Sequence, residues 1–189
     1  MNQTEIDQNK ATFLEYAGRI KRPGFDKLMK WLETTDFFTA PASTKYHSSE
    51  PGGLCKHSLN VLKCFCSADF KQESVLIVCL LHDLCKTNYY TVSTRNVKNE
   101  ETGAWEKQPF YLVDDQLPYG HGEKSVFIIE RCARLTTEEA FAIRFHMGGF
   151  DDASKNCMAV FAKFPLALEL HIADLRATYQ ESKIIKEEK

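Results

Sequence analysis

Val75-Leu76-Ile77-Val78-Cys79-Leu80-Leu81-His82-Asp83-Leu84-Cys85-Lys86 is an unbroken apolar run that ends on two adjacent ionisable side chains. With Glu73 at its start, the stretch predicts a helix over Glu73–Lys86 that is apolar nearly all round, and such a helix belongs at the centre of a fold. The His82-Asp83 pair is then carried into the interior. Buried ionisable groups need partners, because an unpaired buried charge is costly.

Helical patterns flank this segment on both sides. A helix is expected from Thr4 to Ile20, stopped by Pro23-Gly24, and another from Phe25 to Thr34, where Phe25, Leu28, Met29 and Leu32 make one apolar face. Phe38 to Gly53, with Pro41, Pro51 and Gly52-Gly53, reads as a loop leading into a helix over Leu54–Phe70. After the central helix, Tyr90 and Val92, then Trp105, Phe110, Tyr111 and Val113, are strand formers separated by the polar Asn99-Glu100-Glu101-Thr102-Gly103. A β-hairpin is expected over Tyr89–Val113. Helices resume over Gly122–Leu135 and Thr137–Met147. Thr136 and Glu139 have capping-box spacing, and Gly148-Gly149 supplies a stop. A final helix starts near Pro165 and runs beyond Thr178, and a charged tail, Lys183 to Lys189, is expected to fray. The expected fold is mainly all-α, a helical bundle with a small hairpin inserted near residues 89–113, in one domain without repeats or internal linkers.

Composition sets the class. A chain of 189 residues with 43% hydrophobic and 26% charged residues is an ordinary globular protein rather than a disordered or collagen-like one. Its 24 basic and 26 acidic residues leave a net charge of −2, so no overall attraction to nucleic acid or anionic membrane follows. Seven cysteines, an odd number sited mostly in apolar runs, suit free thiols in a reducing compartment. The polar Met1–Asp7 lacks a secretory pattern, and Val75–Leu81 is far short of the roughly 18 apolar residues of a membrane span. A cytoplasmic location is expected.

The placement of the histidines carries the functional information. His57 follows Gly52-Gly53 at a helix start, His121 lies in Gly120-His121-Gly122, and His146 precedes Gly148-Gly149. Asp174 sits mid-helix in Leu170-His171-Ile172-Ala173-Asp174-Leu175, with His171 three residues away on the same side. Glycines beside three of these histidines permit close backbone approach to a shared site. Taken singly, each histidine is more often a cap or a hydrogen-bonded core group, and Asp174 an acid on a solvated face. His171 reads either as a group that orients a ligand or as a core hydrogen-bonder, and His47, in the loop after Tyr46, as one that reaches substrate.

The order His57, His82-Asp83, His121, His146, Asp174 resembles the HD-domain superfamily of metal-dependent phosphohydrolases. Gly52-Gly53-Leu54-Cys55-Lys56-His57, Leu80-Leu81-His82-Asp83-Leu84-Cys85-Lys86 and His171-Ile172-Ala173-Asp174 look like its motif blocks, and the likeness covers about residues 38–179. Closer still is the similarity to the HD domain of bacterial 3′–5′ exoribonucleases. Those proteins carry an additional OB domain, for which the residues before the motifs are too few. The resemblance implies that His57, His82, Asp83 and Asp174 hold one divalent ion and that Asp83 bridges to a second held by His121 and His146. Such a donor set does not select among Mn, Fe, Co, Ni, Zn and Mg.

In that reading Asp83 is catalytic through the ions. Lys86, three residues on, is catalytic and substrate-binding because its ammonium stabilises phosphate charge; the plainer reading is a basic residue at a helix C-terminus. The implied function is hydrolysis of a nucleotide or other phosphate ester by a metal-activated hydroxide. Short nucleic acid is a further candidate substrate, and no membrane partner is implied. Two alternatives stand beside it: a di-iron oxygenase of the same superfamily, with the same ligand order, and a noncatalytic metal-stabilised binding or regulatory module. The cysteines offer no competing site, since no pair has Cys-x-x-Cys spacing, and neither a phosphate-cradling glycine loop nor a nucleophile elbow is present. The hairpin reads as a wall or lid over the site, or as a purely structural excursion.

Overall fold

Helix α4 (Gln72–Leu81) forms the middle of the computed structural model, which describes residues 1–44, 48–100, 102–151 and 154–187. Every residue from Leu76 to Leu81 is almost wholly buried, as an all-round apolar helix must be. Around it, among the described residues, lie α1 (Gln3–Ala17), α2 (Phe25–Leu32), α3 (Gly53–Cys64), α5 (His121–Glu130), α6 (Thr137–Arg144), α7 (Cys157–Lys163) and α8 (Pro165–Glu187). The architecture is mainly helical with one small two-stranded antiparallel sheet, β1 (Tyr90–Lys98) and β2 (Trp105–Val113). Among the described residues no helix is long and apolar enough to cross a membrane.

Helix α3 packs on both α4 and α8, α6 packs on α8, α5 and α4, and α1 closes the far side against α3 and α4. These contacts share one apolar core, in which Phe13 of α1 meets Phe37 and Phe38 with ring centroids 5.1 and 5.5 Å apart. The box expected at α6 is formed in both directions: Glu139 N–H donates to Thr136 Oγ1 at 3.2 Å and Thr136 N–H to Glu139 Oε2 at 2.8 Å. Asn2 and Glu5 form an equivalent box at α1. Pro165 opens α8, which extends to Glu187, inside the charged tail.

Several helices end earlier than the apolar pattern predicts, and each has a local cause. Helix α4 stops at Leu81, not Lys86. His82 and Asp83 form a turn into a short 3-10 segment, Leu84–Lys86, where Lys86 N–H donates to Asp83 O and Thr87 N–H to Leu84 O. Helix α3 stops at Cys64, short of Phe70, because Phe65 is extended and Cys66 and Ser67 make local side-chain bonds to the backbone. Helix α5 ends at Glu130, whose carboxylate accepts Leu135 N–H at 2.7 Å. Helix α6 gives out after Arg144, so His146 lies just past it. Helix α7, between Gly149 and Pro165, has no counterpart in the sequence pattern.

The hairpin pairs Tyr90 with Val113 and Lys98 with Trp105 in unbroken antiparallel register. Its base joins the helical body, and beyond it Val92, Trp105 and Leu112 are exposed.

Candidate metal centre

Five separate segments deliver the site. His57 comes from α3, His82 and Asp83 from the turn after α4, His121 from the first residue of α5, His146 from the turn after α6, and Asp174 from α8. Two glycines make the convergence sterically possible. A Cβ at Gly122 would lie 2.2 Å from the carbonyl oxygen of Arg144, so only glycine lets the start of α5 sit on the end of α6. Gly148, at φ +56°, turns the chain after His146, and a Cβ there would meet the His171 ring at 2.6 Å.

Asp83 is the hub. Its Oδ1 lies 2.9 Å from His121 Nε2 and 3.5 Å from His146 Nε2; its Oδ2 lies 2.7 Å from Lys86 Nζ, 3.5 Å from His82 Nε2 and 3.8 Å from His57 Nε2. Asp174 Oδ1 is 3.0 Å from His57 Nε2. His57, His82, His146 and Asp83 are almost entirely buried, and Asp174 nearly so.

The tautomers follow from the outer contacts. A carbonyl can only accept, so the Nδ1–H of His82 donates to Cys79 O at 3.0 Å and that of His146 donates to Ile143 O at 2.7 Å. In the neutral rings each Nε2 therefore carries a lone pair directed at the Asp83 carboxylate. Neither nitrogen has a hydrogen-bond partner among the described residues. Buried lone pairs facing a carboxylate are unfavourable unless a cation lies between them, and such an arrangement could hold a metal ion with its ligands oriented from outside. His57, His82 and Asp174, and likewise His82, Asp83 and His146, place donor atoms within 4.8 Å of one another. The residues fit a divalent ion.

The charge states agree with the geometry. Burial drives the His82 imidazole down to about 3, so it is neutral at ordinary pH. Burial also lowers His121. Burial opposes the charge on Asp83, but the Lys86 ammonium, together with the hydrogen bond to His121, holds its carboxyl well below the usual range. Asp174 is held low in the same way by His57. Burial likewise works against a charged His146, yet the adjoining Asp83 and Asp174 carboxylates outweigh it and raise that imidazole.

The centre forms the floor of a cavity of about 730 Å³. His57, Asp83, Lys86, His121, His146 and Asp174 line it, while His82 stands behind them. Its walls are aromatic: Tyr89 and Tyr90 at the hairpin base, Phe150 after α6 and Tyr179 on α8, the last two exposed at the mouth. Tyr90 and Val113 make the hairpin base a wall of the cavity.

His171 donates through Nδ1–H to the backbone carbonyl of His146 at 2.5 Å and stacks on Phe161, so it fixes the turn that carries His146. His47 lies outside the described residues. The pattern of residues missed two features. The aromatic wall comes from positions far apart in the chain, and Cys85, expected to stand apart with the other thiols, has its Sγ 3.4 Å from His121 Nδ1. The only local signal for Cys85 was its place two residues after Asp83. Comparison with protein-family models, with curated proteins and with solved structures gives no match for this chain.

Proposed function

We propose that this protein is a divalent-metal-dependent phosphohydrolase with an HD-domain type of centre, acting on a nucleotide or another phosphate ester carrying an aromatic group. The observation that carries the reading is the pair of buried, unpartnered Nε2 atoms of His82 and His146 aimed at Asp83 on the floor of an open cavity. Asp83 presents Oδ2 to His57 and His82, beside Asp174, and Oδ1 to His121 and His146. That division supports two ion positions sharing one carboxylate.

Divalent ions at such a centre supply a nucleophilic oxygen at neutral pH and neutralise charge on the attacking and leaving oxygens of phosphoryl transfer. The chain itself supplies position and charge. Lys86 spends one of its three N–H donors on Asp83 Oδ2 and lines the cavity, so two remain for phosphate oxygens. The flat faces of Tyr90, Phe150 and Tyr179 offer stacking surface to a base or other ring. The cavity volume lies within the usual 300–1,000 Å³ range of small-molecule sites, which favours a mononucleotide-sized substrate over a long nucleic acid.

The test pairs metal analysis of the purified protein with phosphate- and nucleotide-release assays over nucleotides, cyclic nucleotides and short RNA. Metal-dependent release, abolished in the double variant His82→Ala/Asp83→Ala together with metal binding, is the expected result. Iron-dependent oxygen uptake without phosphate release would move the assignment to an oxygenase. A metal-loaded protein inert in every assay would make it a binding module.

A further inference from the structure

Cys85 brings a sulfur into the half of the centre that faces Asp83 Oδ1. Its Sγ lies 3.4 Å from Nδ1 and 3.8 Å from Nε2 of His121, and Asp83, Cys85 and His121 place one donor atom each within 4.8 Å of the others. The elements that carry the two side chains are tied together: the backbone N–H of Cys85 donates to the Ser125 hydroxyl, Oγ, at 2.9 Å, which joins the 3-10 turn to α5, the helix that begins at His121. A second observation points to the same spot. His146 Nε2, wholly buried and without a hydrogen-bond partner, faces the oxygen of Asp83 that His121 reaches. Tetrahedral zinc, with Zn–S of about 2.3 Å and Zn–N of about 2.0–2.1 Å, separates its sulfur and nitrogen donors by about 3.5 Å. The Cys85–His121 distances, 3.4 Å to Nδ1 and 3.8 Å to the Nε2 that faces Asp83, bracket that spacing.

We infer that Cys85 is a metal ligand which, with Asp83, His121 and His146, makes a donor set of one sulfur, two imidazoles and one carboxylate. The inference rests on the metal-centre reading given above and adds selectivity to it. A thiolate is a soft donor and favours Zn²⁺ and Co²⁺ over Mg²⁺ and Mn²⁺, so the two halves of the centre differ in which ion they prefer. On binding, the thiol proton leaves to solvent and the sulfur lone pair goes to the ion.

The test uses the full chain, stripped with a chelator under reducing conditions and reloaded with Co²⁺ alone or Zn²⁺ alone. Bound Co²⁺ should show visible d–d bands and a thiolate-to-cobalt charge-transfer band in the near ultraviolet. Cys85→Ser should keep the d–d bands and lose the charge-transfer band. Its Zn²⁺ affinity at that position should fall about tenfold or more, with Mn²⁺ binding little changed. X-ray absorption on the Zn²⁺-loaded wild type, which needs no variant to fold, should find a sulfur scatterer at about 2.3 Å. Co²⁺ bound without charge transfer and Zn²⁺ without sulfur would overturn ligation by Cys85 and leave the histidine and aspartate centre standing; the thiol would then be only an S–H partner of the His121 ring. A charge-transfer band that persists in Cys85→Ser would assign the sulfur to another cysteine and overturn the inference. Binding of neither ion would sink the metal centre and the inference together.

Discussion

Asp83 is a carboxylate removed from water and enclosed by Lys86 and four imidazoles. Burial alone would push such an acid toward its neutral form, but the neighbouring Lys86 ammonium and the His121 hydrogen bond hold it charged. Lys86 therefore stands between two partners, the carboxylate it already bonds and the phosphate it is proposed to receive. Substituting Lys86→Met removes the charge and keeps much of the side-chain bulk. kcat/KM for phosphate release should fall about a hundredfold or more, the scale set by removing one donor to developing charge, while metal content stays at the wild-type level. Steady-state kinetics alongside metal analysis checks this. Loss of the ions in the variant would instead make Lys86 a support for Asp83. Cys85, one residue earlier, stays neutral in the metal-free chain because burial raises its thiol to about 12.

Between elements, the ends of helices carry the arrangement. Arg22, in the connection from α1 to α2, donates to Glu139 at 2.6 and 2.9 Å and to Glu73 at 3.2 Å, which joins that connection to the starts of α6 and α4. Both of those helices end beside the candidate metal centre. Glu139 is fully buried and also closes the α6 capping box, so removing its cation strands a charge. Arg22→Ala should cost about 3–5 kcal/mol at pH 7. Burial acts to raise the Glu139 carboxyl, but the bonds from Arg22, with help from Thr136 and Ser74, bring it below its ordinary value. An acid with a depressed folded-state pKa contributes stability that is fully present above the unfolded value and is lost as pH falls through the folded one. The gap between wild type and Arg22→Ala should therefore narrow on acidification below the usual glutamate range. Urea unfolding from pH 7 to pH 3 measures it, and a gap independent of pH would show that the pair does not couple as drawn.

At the scale of the molecule, the centre collects side chains from five segments that share no local contacts in an unfolded chain, so an ion bound there favours the folded state by mass action. A free-ion concentration of 100 Kd should raise unfolding stability by about 2.7 kcal/mol. A chelator should lower Tm accordingly, and His82→Ala/Asp83→Ala should show no response to either ion or chelator in a thermal scan. The sequence itself was sufficient wherever structure is set by neighbours in the chain. The all-round apolar Val75–Leu81 makes a buried helix, Thr136 and Glu139 make a box, Pro165 starts a helix, and Tyr90–Lys98 with Trp105–Val113 makes a hairpin, because periodicity, capping and turn chemistry act within a few residues. The histidines and aspartates of the candidate site were legible as an ordered set. Their enclosure of a single carboxylate was not, since no local rule measures distances between segments. The end of α4 at Leu81, the turn that brings His146 past α6, and the meeting of Tyr90, Phe150 and Tyr179 around one cavity depend on which helix packs on which. The same is true of Cys85, whose spacing from Asp83 is visible in the chain but whose contact with His121 exists only because α5 docks on the 3-10 turn, where packing and the Cys85–Ser125 bond, acting across the core, override what each segment would do alone.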